Sequence, residues 1–135
     1  MVHESKALML HLSPAAGETF YDQIIRGIKK EISEERIKPG DLLPSFRQLA
    51  ADLLVSVITV KRAYEELERE GIIYRRQGVG TFVSDKGLDR TLKAKRQRAR
   101  DLLAEAIREA KEAGLSEEEI KEMTQKLISK KGAEA

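Results

Sequence analysis

The stretch that decides the fold is Lys38-Pro39-Gly40-Asp41-Leu42-Leu43-Pro44-Ser45-Phe46-Arg47-Gln48-Leu49-Ala50, followed by Val55-Ser56-Val57-Ile58-Thr59-Val60-Lys61-Arg62-Ala63-Tyr64, then Gly71-Ile72-Ile73 and Gly78-Val79-Gly80-Thr81-Phe82-Val83. Pro44 blocks helix before it, and Ser45 stands three residues ahead of Gln48, the spacing of a capping box, so a helix starts at about Phe46. Leu49, Ala50 and Leu53 recur at helical spacing and face a core, which leaves Arg47 and Gln48 on the outer side. Ser56 caps a second helix three residues later. Its apolar stripe is Val60, Ala63, Tyr64 and Leu67, and Gly71 supplies the left-handed stop. The opposite side of that helix, from Val57 to Glu70, presents Val57, Ile58, Lys61, Arg62 and Glu65.

After Gly71, Ile72-Ile73-Tyr74 and Thr81-Phe82-Val83 are rich in β-branched and aromatic residues around Gly78 and Gly80, and read as a β-hairpin. A strand rather than a helix follows Gly78-Val79-Gly80, which removes a dinucleotide loop from consideration. Two capped helices with a short turn, then a hairpin carrying Arg75 and Arg76 before its tip, make a winged helix-turn-helix, a fold whose second helix enters a major groove of double-stranded DNA. Ahead of it, Phe20, Tyr21, Ile24, Ile25, Ile28 and Ile32 define an amphipathic helix that ends before Lys38-Pro39-Gly40. Tyr21 and Tyr64 fall on apolar stripes and read as core residues with satisfied hydroxyls rather than stacking platforms.

These residues resemble the GntR family of bacterial transcription regulators. The resemblance covers Phe20 to Val83 and rests on Tyr21-Asp22-Gln23-Ile24, Pro39-Gly40-Asp41, Leu43-Pro44-Ser45 with Arg47, Leu49-Ala50, Val55-Ser56, Thr59-Val60, Ala63-Tyr64, Leu67, Glu70-Gly71 and Gly78-x-Gly80-Thr81-Phe82-Val83. It implies DNA contacts at Arg47, Ser56, Thr59, Lys61 and the wing-tip Gly78. From the residues themselves, Ser45 with Ser56 and Thr59 is expected to hold phosphates through hydroxyls and helix-start amides, with Arg62, Arg75 and Arg76 adding backbone and wing contacts. Many members carry an arginine directly after the position of Ser56, where this chain has Val57. Val57 or Ile58 then stands where a base-reading arginine would, and is suited to thymine methyls.

The rest of the chain bounds the function. Its 135 residues, 41% hydrophobic with a net charge of +2, allow one modest domain and an appendage. No apolar run is long enough to span a bilayer, and Met1 to Leu12 lacks a signal-peptide core, which points to the cytoplasm. There is no cysteine, and His3 and His11 lie near an end expected to fray, so neither a metal nor another cofactor is expected. No nucleophile set, phosphate loop or acid pair indicates an enzyme. Charge is uneven: Lys86, Arg90, Lys93, Lys95, Arg96, Arg98 and Arg100 oppose only Asp89 between residues 86 and 100, and acidic residues dominate thereafter. This belt is read either as a solvated face or as a phosphate contact.

In the C-terminal third, Leu92, Ala99, Leu102, Leu103, Ala106, Ile107 and Ala110 mark a long helix, ended by Ala113-Gly114-Leu115. Ser116 with Glu119 then boxes the start of a helix bearing Ile120, Met123, Leu127 and Ile128. A two-helix hairpin of this size cannot bury both apolar faces alone, so it is expected to pair with a second copy. The expected organisation is an N-terminal arm (1–18), a mainly helical winged helix-turn-helix domain (19–84) and a helical dimerisation tail (85–135). Its shortness argues against a built-in metabolite pocket, leaving a plain dimerisation hairpin or a small effector at the dimer interface. The resemblance is to the short YtrA-type branch of the family and implies a homodimeric repressor of an operon such as that of an ABC transporter, on a palindromic operator. An architectural or plasmid-maintenance DNA binder, or a protein-interaction module on the same fold, stays open.

Overall fold

A computed structural model describes residues 5–15 and 17–134. The elements are α1 (Phe20–Ser33), α2 (Phe46–Leu53), α3 (Val57–Arg69), β1 (Ile73–Arg76), β2 (Gly80–Val83), α4 (Gly87–Glu112) and α5 (Glu117–Glu134). The chain divides into two compact units, one reaching Ala94 and one beginning at Lys95.

In the first unit α3 packs on both α1 and α2. The stripes read from the sequence are its core: Ile24, Ile28 and Ile32 of α1, Leu49 and Ala50 of α2, and Val60, Ala63, Tyr64 and Leu67 of α3 are buried together with Ile72, Ile73 and Val83 of the hairpin. Helix boundaries follow local chemistry. Thr19, Ser45 and Ser56 each accept the amide hydrogen of the residue three ahead, filling donors that a helix start leaves open. At the end of α3, Gly71 (φ +76°) donates to the Glu68 carbonyl and Ile72 to that of Leu67, the two bonds of a Schellman motif. Gly40 (φ +85°) occupies the third position of the turn Lys38-Pro39-Gly40-Asp41, where the Asp41 amide donates to the Lys38 carbonyl at 2.9 Å.

The hairpin is antiparallel, with Ile73 opposite Val83 and Arg76 opposite Gly80. It is wider than expected. Asp41–Leu43, which follows the Lys38-Pro39-Gly40-Asp41 turn, lies along the free edge of β2: the Leu43 amide donates to the Thr81 carbonyl and the Val83 amide to that of Asp41. Lys6 in turn donates to Leu42, so the edge strand is covered from both chain directions.

The expectation of a frayed N-terminal end is corrected for its described part; His3 lies outside the described residues. Leu8, Leu10 and Leu12 alternate into the core, and two buried polar side chains of α1 fix the backbone between them. The Glu31 carboxylate, 1% exposed, accepts the Met9 amide at 2.7 Å and pairs with Arg36; Gln23 accepts from the Ser13 amide and donates to the Ser13 and Glu18 carbonyls. A carboxylate is buried only where such partners replace water, so this segment is docked by specific bonds as well as by leucines. His11 is exposed beside Arg26, Lys30 and Arg36, a cationic setting that disfavours a metal ion.

The first turns of α4 belong to this unit: Gly87 and Thr91 are buried, and Arg90 donates to the Gly71 carbonyl at 3.0 Å. The Thr91 hydroxyl is buried without a hydrogen-bond partner. Thr91→Val keeps the shape, removes that unsatisfied group, and is expected to raise stability by about 1 kcal/mol in chemical denaturation; a loss of stability would show that the hydroxyl has a partner in solution.

In the second unit, α4 ends in a Schellman motif at Gly114 (φ +89°), and α5 begins with both halves of the expected capping box: Glu119 accepts from the Ser116 amide at 3.0 Å, and Ser116 accepts from the Glu119 amide at 3.2 Å. The amide hydrogen bond, then the serine, holds the Glu119 carboxyl below its ordinary pKa. A lowered carboxyl stabilises the fold above its unfolded pKa and ceases to do so as pH falls through the folded one. Acidification through and below the ordinary glutamate range is therefore expected to fray the start of α5, read as loss of protection of the Ser116 amide, and Glu119→Gln should remove that pH response. Leu102, Leu103, Ile107, Met123, Leu127 and Ile128 are exposed in the single chain, with Ala110, Leu115 and Ile120 half-buried around the turn.

Candidate nucleic-acid interface

The site is assembled by the two helix starts and the hairpin. At the start of α3, the Ser56 hydroxyl accepts the Thr59 amide at 3.1 Å and lies 2.7 Å from the Thr59 hydroxyl, so the two hydroxyls partner each other across the cap. Ser45 caps α2 in the same way. Its backbone is placed by Tyr64, whose hydroxyl donates to the Pro44 carbonyl at 2.8 Å and whose ring meets Phe46 edge-on at 5.3 Å. Between the helices Leu54 turns the chain in the left-handed region (φ +58°) and is 90% exposed.

The wing tip is the turn Arg76-Gln77-Gly78-Val79, closed by the Val79 amide on the Arg76 carbonyl, with Gly78 at φ +77° and nothing packed against it. Arg75 is directed inward along the hairpin: its amide donates to Glu68 and its guanidinium lies 5.0 Å from the centre of the Phe46 ring. Ser45, Arg75, Arg76 and Gly78 thereby share one open cleft of about 470 Å³, together with Gln48 and Thr81. Arg47 stands exposed on the first turn of α2, and Val57, Ile58 and Lys61 on the outer side of α3, all outside the cleft lining.

Arg62 departs from this grouping. Its guanidinium sits 5.1 Å over the Tyr21 ring, in a separate hollow with Glu65, Glu66 and Arg69. Tyr21 is therefore a platform for an arginine as well as a half-buried core residue, a role its place on the apolar stripe did not reveal. Tyr64 has the buried, satisfied hydroxyl that was expected.

The charges divide along α3. Near its C-terminal end Arg69 grips Glu66 through two bonds of 2.6 Å, which hold the Glu66 carboxyl below its ordinary pKa, and Lys29 of α1 pairs with Glu70 at 3.0 Å. Among the described residues Arg47, Lys61 and Arg76 enter no ion pair. Unpaired cations thus stand at the start of α2, in the first half of α3 and on the wing, segments that meet phosphates and base edges in a winged helix-turn-helix; Lys93, Arg96, Arg98 and Arg100 of α4 enter no ion pair either.

Comparison with known proteins decides the family. The model of the bacterial regulatory proteins of the gntR family matches residues 20–83. The HTH-type transcriptional repressor YtrA of Bacillus subtilis is 36% identical over 114 residues, 84% of this chain and 88% of that protein. The chain belongs to the GntR family. It is a DNA-binding transcription regulator and not an enzyme. A GntR family transcriptional regulator from Listeria monocytogenes is similar in structure, with a TM-score of 0.68 and 32% identity over 82% of this chain and 96% of the other. The DNA-binding domain of AraR, solved in complex with operator ORX1, covers 62% of this chain and 99% of its own at a TM-score of 0.51 and 28% identity. Among the described residues of this regulator, no helix is long and apolar enough to cross a membrane.

Proposed function

We propose that this regulator is a cytoplasmic homodimeric repressor that binds a palindromic operator through α3 and the wing. The observation that carries the reading is the cleft in which Ser45, Arg75, Arg76 and Gly78 meet, beside the unpaired Arg47 and Lys61. Ser45, Ser56 and Thr59 mark the helix starts offered to phosphates, Lys61 reads a base edge, and Arg75, Arg76 and Gly78 carry the wing contact. Arg62, held over Tyr21, contributes to the backbone contact from the flank. The DNA-binding domain spans 19–84, with the described residues 5–15 docked on it, and the dimerisation tail lies within 85–135, with Leu102, Leu103, Ala106, Ile107, Ala110, Ile120, Met123 and Leu127 supplying the contact between copies. The resemblance to the short branch of the family supports, as target, an operon such as that of an ABC transporter.

The test is fluorescence anisotropy of the full chain on the duplex upstream of its own gene and on a scrambled duplex, across a salt series. A preference of about 10³ or more for the native duplex, with two subunits per site, is expected. Equal, salt-steep binding to both would replace this reading by an architectural role, and no binding to either would favour a protein-interaction module. In the same assay Lys61→Ala is expected to lose about 1–3 kcal/mol on the native duplex and little on the scrambled one; equal losses would assign Lys61 to phosphate.

A further inference from the structure

The outer side of α3 begins with an apolar pair where hydrogen-bonding readers would be expected. Val57 is 41% and Ile58 68% exposed, while the hydroxyls of Ser56 and Thr59 beside them are engaged with each other. Arg62 is drawn onto Tyr21, so Lys61 is the one exposed cation in the first two turns of α3 that enters no ion pair, side-chain hydrogen bond or ring contact. Lys61 lies three and four residues beyond Ile58 and Val57, the spacing that makes side chains neighbours on a helix. The surface at the tip of α3 is thus two branched apolar side chains bordered by Lys61, with the unpaired Arg47 and Arg76 on the neighbouring α2 and wing. That cationic border fits a polyanion, and it argues against a second apolar protein face as the occupant.

In the major groove the one apolar group on a base edge is the thymine C5-methyl. We propose, building on the operator-binding reading above, that Val57 and Ile58 are specificity residues that select A·T pairs in each half-site by packing on thymine methyl groups. Discrimination then comes from methyl burial rather than from bidentate hydrogen bonds. Lys61, adjacent to both, sets the neighbouring contact and anchors the register.

The experiment starts by selecting duplexes from a random pool with the full-length protein. Thymines of the selected half-site are then replaced one at a time by deoxyuridine, which removes only the methyl group. For the unsubstituted protein at least one such replacement per half-site is expected to weaken binding about fourfold, the value of burying one methyl. The variant carrying Val57→Ala and Ile58→Ala is expected to bind the selected duplex more weakly and to be indifferent to deoxyuridine at that position. Its melting curve should match that of the unsubstituted protein, because both side chains are exposed. Enrichment of a sequence whose thymines can all be replaced without loss would overturn the methyl contact while leaving the operator reading intact. An equal deoxyuridine penalty in the variant would assign the methyl contact to other residues. Failure to enrich any sequence would overturn both.

Discussion

Replacing Tyr64 by phenylalanine is expected to destabilise the first unit by about 1–3 kcal/mol, because it removes the hydroxyl alone and strands the buried Pro44 carbonyl. Tyr64→Ala adds a cavity under Phe46 and should cost about 3–5 kcal/mol more. A domain this small has stability near the lower end of the usual range of about 5–15 kcal/mol, so the alanine variant should be largely unfolded at ambient temperature. The phenylalanine variant should fold, with a melting temperature lower by several degrees. The more informative consequence concerns DNA. Pro44 precedes the Ser45 cap, so freeing its carbonyl loosens the start of α2 where Ser45 and Arg47 are presented. Operator affinity should therefore fall in Tyr64→Phe under conditions where the protein is fully folded. A variant that melts as the unsubstituted protein does would show the hydroxyl bond to be without value. Burial holds the Tyr64 hydroxyl well above the ordinary tyrosine range. Its contribution is complete below the unfolded tyrosine pKa and is lost only as strongly alkaline pH rises through the folded one.

What the sequence disclosed depends on how local the cause was. Ser45, Ser56, Gly71, Gly114 and the Ser116–Glu119 box act over three to five residues, and each boundary they predicted was found within a residue or two. The stripes of α1 and α3 were legible because burial on one helix face imposes a period. Long-range partnerships were not. The pairing of Leu42 with both Phe82 and Ser5 depends on backbone bonds with no residue preference, and nothing in the alternation of Leu8, Leu10 and Leu12 named Glu31 and Gln23 as their anchors. In the site, exposure of Arg47, Val57, Ile58 and Lys61 followed from the helix period, whereas the seating of Arg62 on Tyr21 joins residues 41 apart in the chain, on two different helices, and could not be read from either. Leu54 in the left-handed region is likewise invisible to propensity, since a leucine there is set by the turn between α2 and α3 and not by its own preference.

Charging the tail should have the largest effect on function. In the single chain Leu103 and Leu127 are exposed, so Leu103→Asp and Leu127→Asp together leave the protomer's own packing nearly untouched, and the melting of the unit that ends at Ala94 should not change. In a dimer built on these faces the same two aspartates would be buried without partners, at a cost of several kcal/mol each. The variant is therefore expected to be monomeric in sedimentation analysis at concentrations where the unsubstituted protein is dimeric. DNA binding follows from the linkage. Two recognition helices held about 34 Å apart engage both halves of a palindrome, the second at high effective concentration. Uncoupling them removes that gain, and operator affinity should fall by about 10²–10⁴-fold. Binding to a single half-site should survive, since Arg47, Lys61 and the wing are untouched, and its salt dependence should be shallower because fewer phosphates are neutralised per binding event. A variant that remains dimeric, or that keeps full operator affinity as a monomer, would place the contact between copies elsewhere on the chain.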